Sequence, residues 1–409
     1  MTISISDIRK AASLLQGHVL STPSLLSEVI SNAVGTDVVV KLENLQVTGS
    51  FKSRGAFVKL NGISEAEKSA GVVAVSAGNH AQGVAYHASR MRIPATIFMP
   101  EGTPFTKVGR TEDLGAKVIL KGQSLSETWV AAEEMVASDG KVFVHPFDDP
   151  DVIAGQGTVG LELLEKHADL DVIIVPVGGG GLISGCAIAA KALKPSIDVI
   201  GVQSALYPSM ERVLAGQPLP GAVGTTIAEG IAVKTPGKLT REIVSELVSK
   251  IHLVDEIAIE KAVQMYLEGP RIVAEGAGAA PLAALIANKE EYQGRRVGLI
   301  VSGGNMDSRM LSSVLMRGLV REGRLVSLRI KLPDIPGVLA KVSGLIGDSG
   351  GNIIEVYHQR LNYDVPIKEA DLDVVVETLD RDHVSNILSA LEAGGFPVRL
   401  LDSDDGRKR

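Results

Sequence analysis

Eight short apolar runs punctuate the first 304 residues. They are DVVVKL (37–42), VVAV (72–75), ATIFM (95–99), KVIL (117–120), KVFVH (141–145), DVIIVPV (171–177), DVIGVQ (198–203) and VGLIVSGG (297–304). Stretches with helical spacing lie between them, among them SEAEKSA, LSETWVAAEEMVAS, LELLEKH and IAIEKAVQMYLEG. Runs that stay apolar at successive positions, rather than alternating, predict strands buried on both faces. That is the pattern of a parallel sheet covered by helices, an α/β architecture. Ligands of such sheets bind beyond the carboxyl ends of the strands, so the turns after the strands are where chemistry is expected.

The texture changes after about residue 320. RLVSLRIKL (324–332) alternates like a half-exposed strand, and IPGVLAKVSGLIGDSG (335–350) predicts a helix that starts near Pro336 and ends near Gly350. NIIEVYHQRL, DLDVVVETL, RDHVSNILSALEAGG and PVRLL complete a βαββαβ order, a ferredoxin-like domain over 325–403. REGR (321–324) reads as the linker before it.

Composition narrows the function classes. The formal net charge is −7 and no Lys/Arg block is present, which argues against nucleic acid as the partner. The single cysteine, Cys186, excludes a disulfide within the chain and a thiolate metal cluster, and points to a reducing, cytoplasmic compartment. MTISISDIRKAASLLQ lacks the cationic start and apolar stretch of a secretory signal. Residues 172–190 carry no charge, but Pro176 and the glycines 178–181 interrupt them; a strand, a glycine turn and a small-residue helix fit better than a membrane span.

Four turns carry candidate chemistry. Lys52 sits among small residues in TGSFKSRGA (48–56); any one lysine is by default a surface residue, but a lysine in a dry pocket can hold pyridoxal phosphate as a Schiff base. Such a site also needs a phosphate cradle, and GGGGL (178–182), between a strong strand and a strong helix, offers backbone N–H groups with no β-carbons in the way. SAGNHAQG (76–83) is another strand-to-helix turn, with Ser76 and Asn79 able to meet a carboxylate or a phenolic oxygen; His80 reads equally as a capping or packing residue. In SGGN (302–305), Ser302 can offer its hydroxyl to a ring nitrogen. GQGTVG (155–160) matches the dinucleotide fingerprint GxGxxG, but no clear strand precedes it and no acidic residue ends a second strand about twenty positions on, so it is rejected. The eight histidines are scattered, there is no HExxH, and no metal site is expected.

SFKSRGA, SAGNHAQG, GGGGL, EGAGA (275–279) and SGGN, in that order, resemble the fold type II (tryptophan synthase β) family of pyridoxal-phosphate enzymes, and within it the threonine dehydratases. The likeness covers residues 1–320, and DIPGVLAKVS with GGNIIEVYHQR in the tail resembles an ACT regulatory domain. The resemblance implies two parallel α/β subdomains, the smaller, about 50–145, inserted in the larger. It implies pyridoxal 5'-phosphate as cofactor, Lys52 as the Schiff-base lysine and general base, and Phe51 packed near the cofactor. Asn79 would bond the phenolic oxygen, Gly178, Gly179, Gly180, Gly181 and Leu182 the phosphate, and Ser302 the pyridine nitrogen, with Glu275 near the ring. Ser76, Gly78, Asn79 and His80 would form the loop that takes the substrate carboxylate.

The implied reaction is β-elimination of L-threonine to 2-oxobutyrate and ammonia, with L-serine to pyruvate as a secondary activity. Serine or hydroxyaspartate dehydratases on the same core, and a non-catalytic amino-acid sensor, remain alternatives. Related serine racemases carry a serine where this chain has Ala77, which argues against racemisation. They bind a divalent ion through an acidic pair where this chain has Gln203 and Ser209, so no divalent-ion site is expected, while a monovalent cation stays open. EGAGA has glycine at 276 where many relatives have proline. The tail implies a homotetramer or homodimer responsive to isoleucine or valine, held near the loop Asp334–Gly337.

Overall fold

A computed structural model describes residues 3–219, 224–359 and 368–401. They divide into two compact units, Met1–Met306 and Asp307–Arg409.

The first unit holds two sheets. The larger runs in the order Ser24–Leu26, Val38–Leu42, Val297–Val301, Val172–Pro176, Asp198–Ser204, Lys250–Val254. Its neighbours are parallel except Ser24–Leu26, which pairs antiparallel with Val38–Leu42. The smaller sheet is parallel throughout, in the order Lys117–Leu120, Ala95–Met99, Val72–Val75, Val142–Phe143. Val38–Leu42, Val72–Val75, Ala95–Met99, Val172–Pro176 and Val297–Val301 are buried at every position, which is why their sequences do not alternate. The apolar pattern misses Ser24–Leu26 and Lys250–Val254. Both are partly exposed edge strands with less apolar surface to hide. The uncharged window 172–190 is a strand, a glycine turn and the helix Gly181–Leu193. Among the described residues no helix is long and apolar enough to cross a membrane.

The rejected fingerprint GQGTVG has a packing role. It lies inside the helix Pro150–Lys166. A Cβ on Gly155 would stand 2.6 Å from Gly55 Cα, one on Gly160 2.9 Å from Cys186 Cα, and one on Gly185 2.5 Å from Gly157 N. Bare backbone on this helix therefore lets the helices Lys52–Gly62 and Gly181–Leu193 dock against it at close range. Those two helices carry the lysine turn and the glycine turn.

A buried charge cluster fixes the same platform. Arg54 donates to both carboxylate oxygens of Glu43 at 2.8 Å, and to Glu162 at 2.6 and 2.9 Å. Lys41 donates to Glu162 at 2.5 Å and to the Thr22 carbonyl at 2.7 Å. Burial pushes the Glu43 carboxyl up, but the Arg54 charge and hydrogen bonds, the Lys41 charge and the Thr22 hydroxyl together outweigh it and hold Glu43 below its ordinary value. Arg54, Glu43 and Lys41 are essentially solvent-free, so the cluster holds only as a complete set.

The second unit begins with the helix Ser308–Glu322 and continues as βαββαβ. Its antiparallel sheet runs Asn352–Gln359, Glu369–Glu377, Leu325–Pro333, Val398–Leu400. Alternate residues of Leu325–Pro333 meet Val338, Val342 and Ile346 from one helix and Val384, Ile387 and Leu391 from the other. The linker expected at 321–324 is instead a helix end. Arg321 and Glu322 complete the helix, and Gly323, at φ +71°, gives its N–H to the Leu319 and Val320 carbonyls. The helix expected from Pro336 to Gly350 spans Val338–Asp348. Residues 360–361 of the expected strand and 402–403 of the expected domain lie outside the described residues.

Candidate active site

Lys52 opens the helix Lys52–Gly62. The turn before it is stitched to the SGGN turn. Phe51 donates its N–H to the Ser302 carbonyl at 3.0 Å, Ser50 bridges to Gly303, and Gly304 N–H meets the Gly49 carbonyl at 3.0 Å. The Lys52 ammonium donates to the Pro146 carbonyl at 2.6 Å and sits 5.2 Å from the centre of the Phe51 ring. Burial disfavours its charge and pulls its pKa down to about 8, although the Glu275 carboxylate pulls the other way. A lysine in this state yields a neutral, nucleophilic amine at low cost.

Pro146 leads to Phe147, which lies on the glycine turn. A Cβ on Gly179 would fall 2.3 Å from the Phe147 ring, and one on Gly181 2.9 Å from the Phe147 carbonyl. Gly180 takes φ +99° to start the helix Gly181–Leu193, and Thr240 donates its hydroxyl to the Gly179 carbonyl at 2.6 Å. Asp148 accepts from the N–H groups of Lys238 and Thr240 and so pins that wall. The glycines of the turn offer backbone alone, and the first N–H groups of the helix have no partner within it. Leu182 is buried behind it.

The SAGNHAQG turn follows the strand Val72–Val75 and opens the helix Asn79–Arg90. Gly78 N–H donates to Ser76 Oγ at 3.1 Å. Asn79 donates its amide to Glu275 at 2.7 Å, and its oxygen accepts from Asn305 at 2.8 Å. Glu275 precedes the helix Gly276–Ala287; burial pushes its carboxyl up to about 7, against the Asn79 hydrogen bond that lowers it. His80 is buried with its Nε2 against the Val144 carbonyl at 2.8 Å, and burial with the Lys52 charge pushes it down to about 3. It is a neutral ring at working pH, so any anion at this turn meets N–H dipoles rather than an imidazolium. Ala77 packs on the apolar core of the smaller sheet. A Cβ on Gly276 would meet the Ile227 carbonyl at 2.5 Å, so the glycine there admits the neighbouring strand of loop.

The structure thus gathers Phe51, Lys52, Asn79, Glu275 and Ser302, with the glycine turn reached through Pro146 and Phe147. Gln203 donates its amide to the Val177 carbonyl at 3.3 Å, and Ser209 donates to the Val233 carbonyl at 2.6 Å. No cluster of three or more His, Cys, Asp or Glu suited to a metal occurs among the described residues. Asp334 and Gly337 lie in the second unit. Asp334 N–H donates to the Lys368 carbonyl at 3.0 Å, and Gly337, at φ +85°, caps the helix Val338–Asp348. Sequence reasoning missed Pro146, Phe147 and Thr240, whose sequence surroundings carry no signal, and it gave Asn305 no role although SGGN contains it. It also passed over Lys41, although a charge inside an otherwise apolar strand is a visible anomaly.

A depressed lysine, a turn that any β-carbon would fill and a high-pKa carboxyl together fit pyridoxal phosphate. Residues 15–303 match the family model "Pyridoxal-phosphate dependent enzyme", and residues 326–393 match "ACT domain". The L-threonine ammonia-lyase of Thermotoga maritima is 45% identical over 98% of this chain and 100% of its own length. A serine racemase from Dictyostelium discoideum superposes with TM-score 0.71 at 36% identity, covering 75% of this chain and 100% of that one. Threonine deaminase isoform 2 of Solanum lycopersicum gives TM-score 0.72 at 34% identity, over 76% of this chain and 91% of that one. The chain therefore belongs to the family of pyridoxal-phosphate dependent enzymes, with an ACT domain in its C-terminal part.

Proposed function

We propose that the protein is an L-threonine ammonia-lyase that converts L-threonine to 2-oxobutyrate and ammonia, and L-serine more slowly to pyruvate. One observation carries the reading: a buried lysine with a depressed pKa stands where the lysine, asparagine and serine turns meet, in a chain alike over 98% of its length to an L-threonine ammonia-lyase. Pyridoxal 5'-phosphate, when bound, supplies the electron sink that makes the substrate α-proton acidic. Lys52 would hold it covalently and, once released, take the α-proton at Nζ. Backbone N–H groups of Gly178, Gly179, Gly180, Gly181 and Leu182 would hold the phosphate. Asn79 would donate to the phenolic oxygen, and the substrate carboxylate would sit at the Ser76–His80 turn on the helix N-terminus. The Ser302 hydroxyl carries no charge, so it cannot keep a proton on a ring nitrogen as a carboxylate would; that favours prompt loss of the β-hydroxyl. Ala77 offers no proton to the opposite face, which supports elimination over racemisation.

The test is 2-oxo acid release from L-threonine and L-serine by the purified protein with pyridoxal phosphate. Release from threonine that Lys52→Ala abolishes is expected; turnover unchanged in Lys52→Ala refutes the assignment. We further infer that isoleucine or valine, bound near Asp334–Gly337 in a homo-oligomer, shifts activity by binding two enzyme states unequally. A chain ending near residue 320 should keep turnover and lose the response. Retained inhibition would move the effector site into the first unit.

A further inference from the structure

Asparagine amides are two-faced: turning one over exchanges a donor for an acceptor. The sense of the Asn79 amide therefore decides whether the site offers a ring oxygen an N–H or a repelling carbonyl. Two contacts of the Asn79 amide set that sense, and Asn305 supplies one of them. Its amide nitrogen gives one proton to the Thr48 carbonyl at 2.7 Å and the other to Asn79 Oδ1 at 2.8 Å. With its oxygen so occupied, Asn79 turns its nitrogen to Glu275 at 2.7 Å and keeps a second N–H. The Asn305 backbone also hydrogen-bonds to the Glu275 carboxylate and lowers its pKa. Asn305 is itself clamped. Gly49, at φ +72°, lies so close that a Cβ there would be 2.4 Å from Asn305 Oδ1, and Gly49 accepts from Gly304 N–H. Reversing Asn79 would set its N–H groups against the Asn305 donor and its oxygen against the Glu275 carboxylate, two repulsions in place of two hydrogen bonds.

We propose that Asn305 is a positioning residue that fixes the Asn79 amide with its N–H toward the cofactor's phenolic oxygen, and so ties the lysine turn, the asparagine turn and Glu275 into one unit. The proposal rests on the cofactor assignment and is independent of which amino acid is the substrate.

The visible absorbance of bound pyridoxal phosphate reports the proton shared between its phenolic oxygen and the lysine nitrogen, and it needs no substrate. In the full-length holoenzyme, Asn305→Ala should move the pH midpoint of that band by about one unit, a size usual for a changed hydrogen bond. Asn305→Asp, which puts an acceptor against Asn79 Oδ1, should move it at least as far. In an Asn79→Ala background the Asn305→Ala shift should vanish, because the residue acts through Asn79. A merely structural loss would move the midpoint equally in both backgrounds, and that result overturns the proposal, as does an unmoved midpoint in both Asn305 variants. Wild-type protein that takes up no pyridoxal phosphate would overturn the cofactor assignment and this inference together; normal uptake with an unmoved midpoint would overturn the inference alone.

Discussion

An apoprotein that captures pyridoxal phosphate through Lys52 should do so with a pH profile set by burial. Only the neutral amine attacks. At the ordinary value of 10.5 the neutral fraction at pH 7 is roughly 3 in 10,000, and at about 8 it is roughly one in ten, a gain on the order of 300-fold. The capture rate should therefore fall about tenfold per unit below pH 8 and flatten above it. Glu275 modulates the curve. Its carboxylate opposes deprotonation of Lys52, so Glu275→Gln removes that pull and moves the midpoint to lower pH. Glu275 itself titrates at about 7, so it is neutral in the wild type at lower pH and exerts little pull there. The two curves should separate most between pH 7 and 8 and close at both ends. Stopped-flow absorbance on mixing apoprotein with pyridoxal phosphate measures the rate, with a small alkylamine run alongside to calibrate the cofactor's own titrations. Wild-type capture still climbing tenfold per unit between pH 8 and 10 refutes the reasoning, as does a Glu275→Gln midpoint that moves upward.

Gly179→Ala should weaken cofactor retention about fivefold or more, since the new Cβ falls 2.3 Å from the Phe147 ring and overpacking costs about 1–3 kcal/mol; equilibrium dialysis against pyridoxal phosphate checks it, and unchanged retention would take the phosphate away from this turn. Arg54→Met leaves Glu43 without its main partner in a solvent-free position and takes from Glu162 one of its two cations, and should cost about 3–5 kcal/mol in urea unfolding. Adding Glu43→Gln should recover part of that loss. A single variant with wild-type stability would contradict the closed charge cluster.

Much of the site was legible because its parts are local. GGGGL, SAGNHAQG and SGGN each follow a recognisable strand, and a parallel sheet brings such turns to one edge whatever the details. Lys52 was legible through the resemblance more than through its own surroundings. Phe147, Thr240 and the role of Asn305 within SGGN were not legible, because each matters only through a neighbour remote in the chain: Gly179 for the first two, Asn79 for the last. His80 shows the limit from the other side. Its place in the turn was plain, but burial against the Val144 carbonyl makes it a neutral packing group.

By itself, the order of apolar runs determined a parallel α/β core followed by an alternating βαββαβ unit, because burial on one face or two writes its period directly into the chain. Only the tertiary structure decided the chemistry of the ionisable groups. A lysine near 8 and a carboxyl near 7 follow from the loss of solvent around them and from the charges that other segments bring close. The glycines of GQGTVG tell the same story. They look like a nucleotide loop in one dimension, and in three they are the contact surface on which the lysine helix rests, since what a missing Cβ permits depends on what is packed against it.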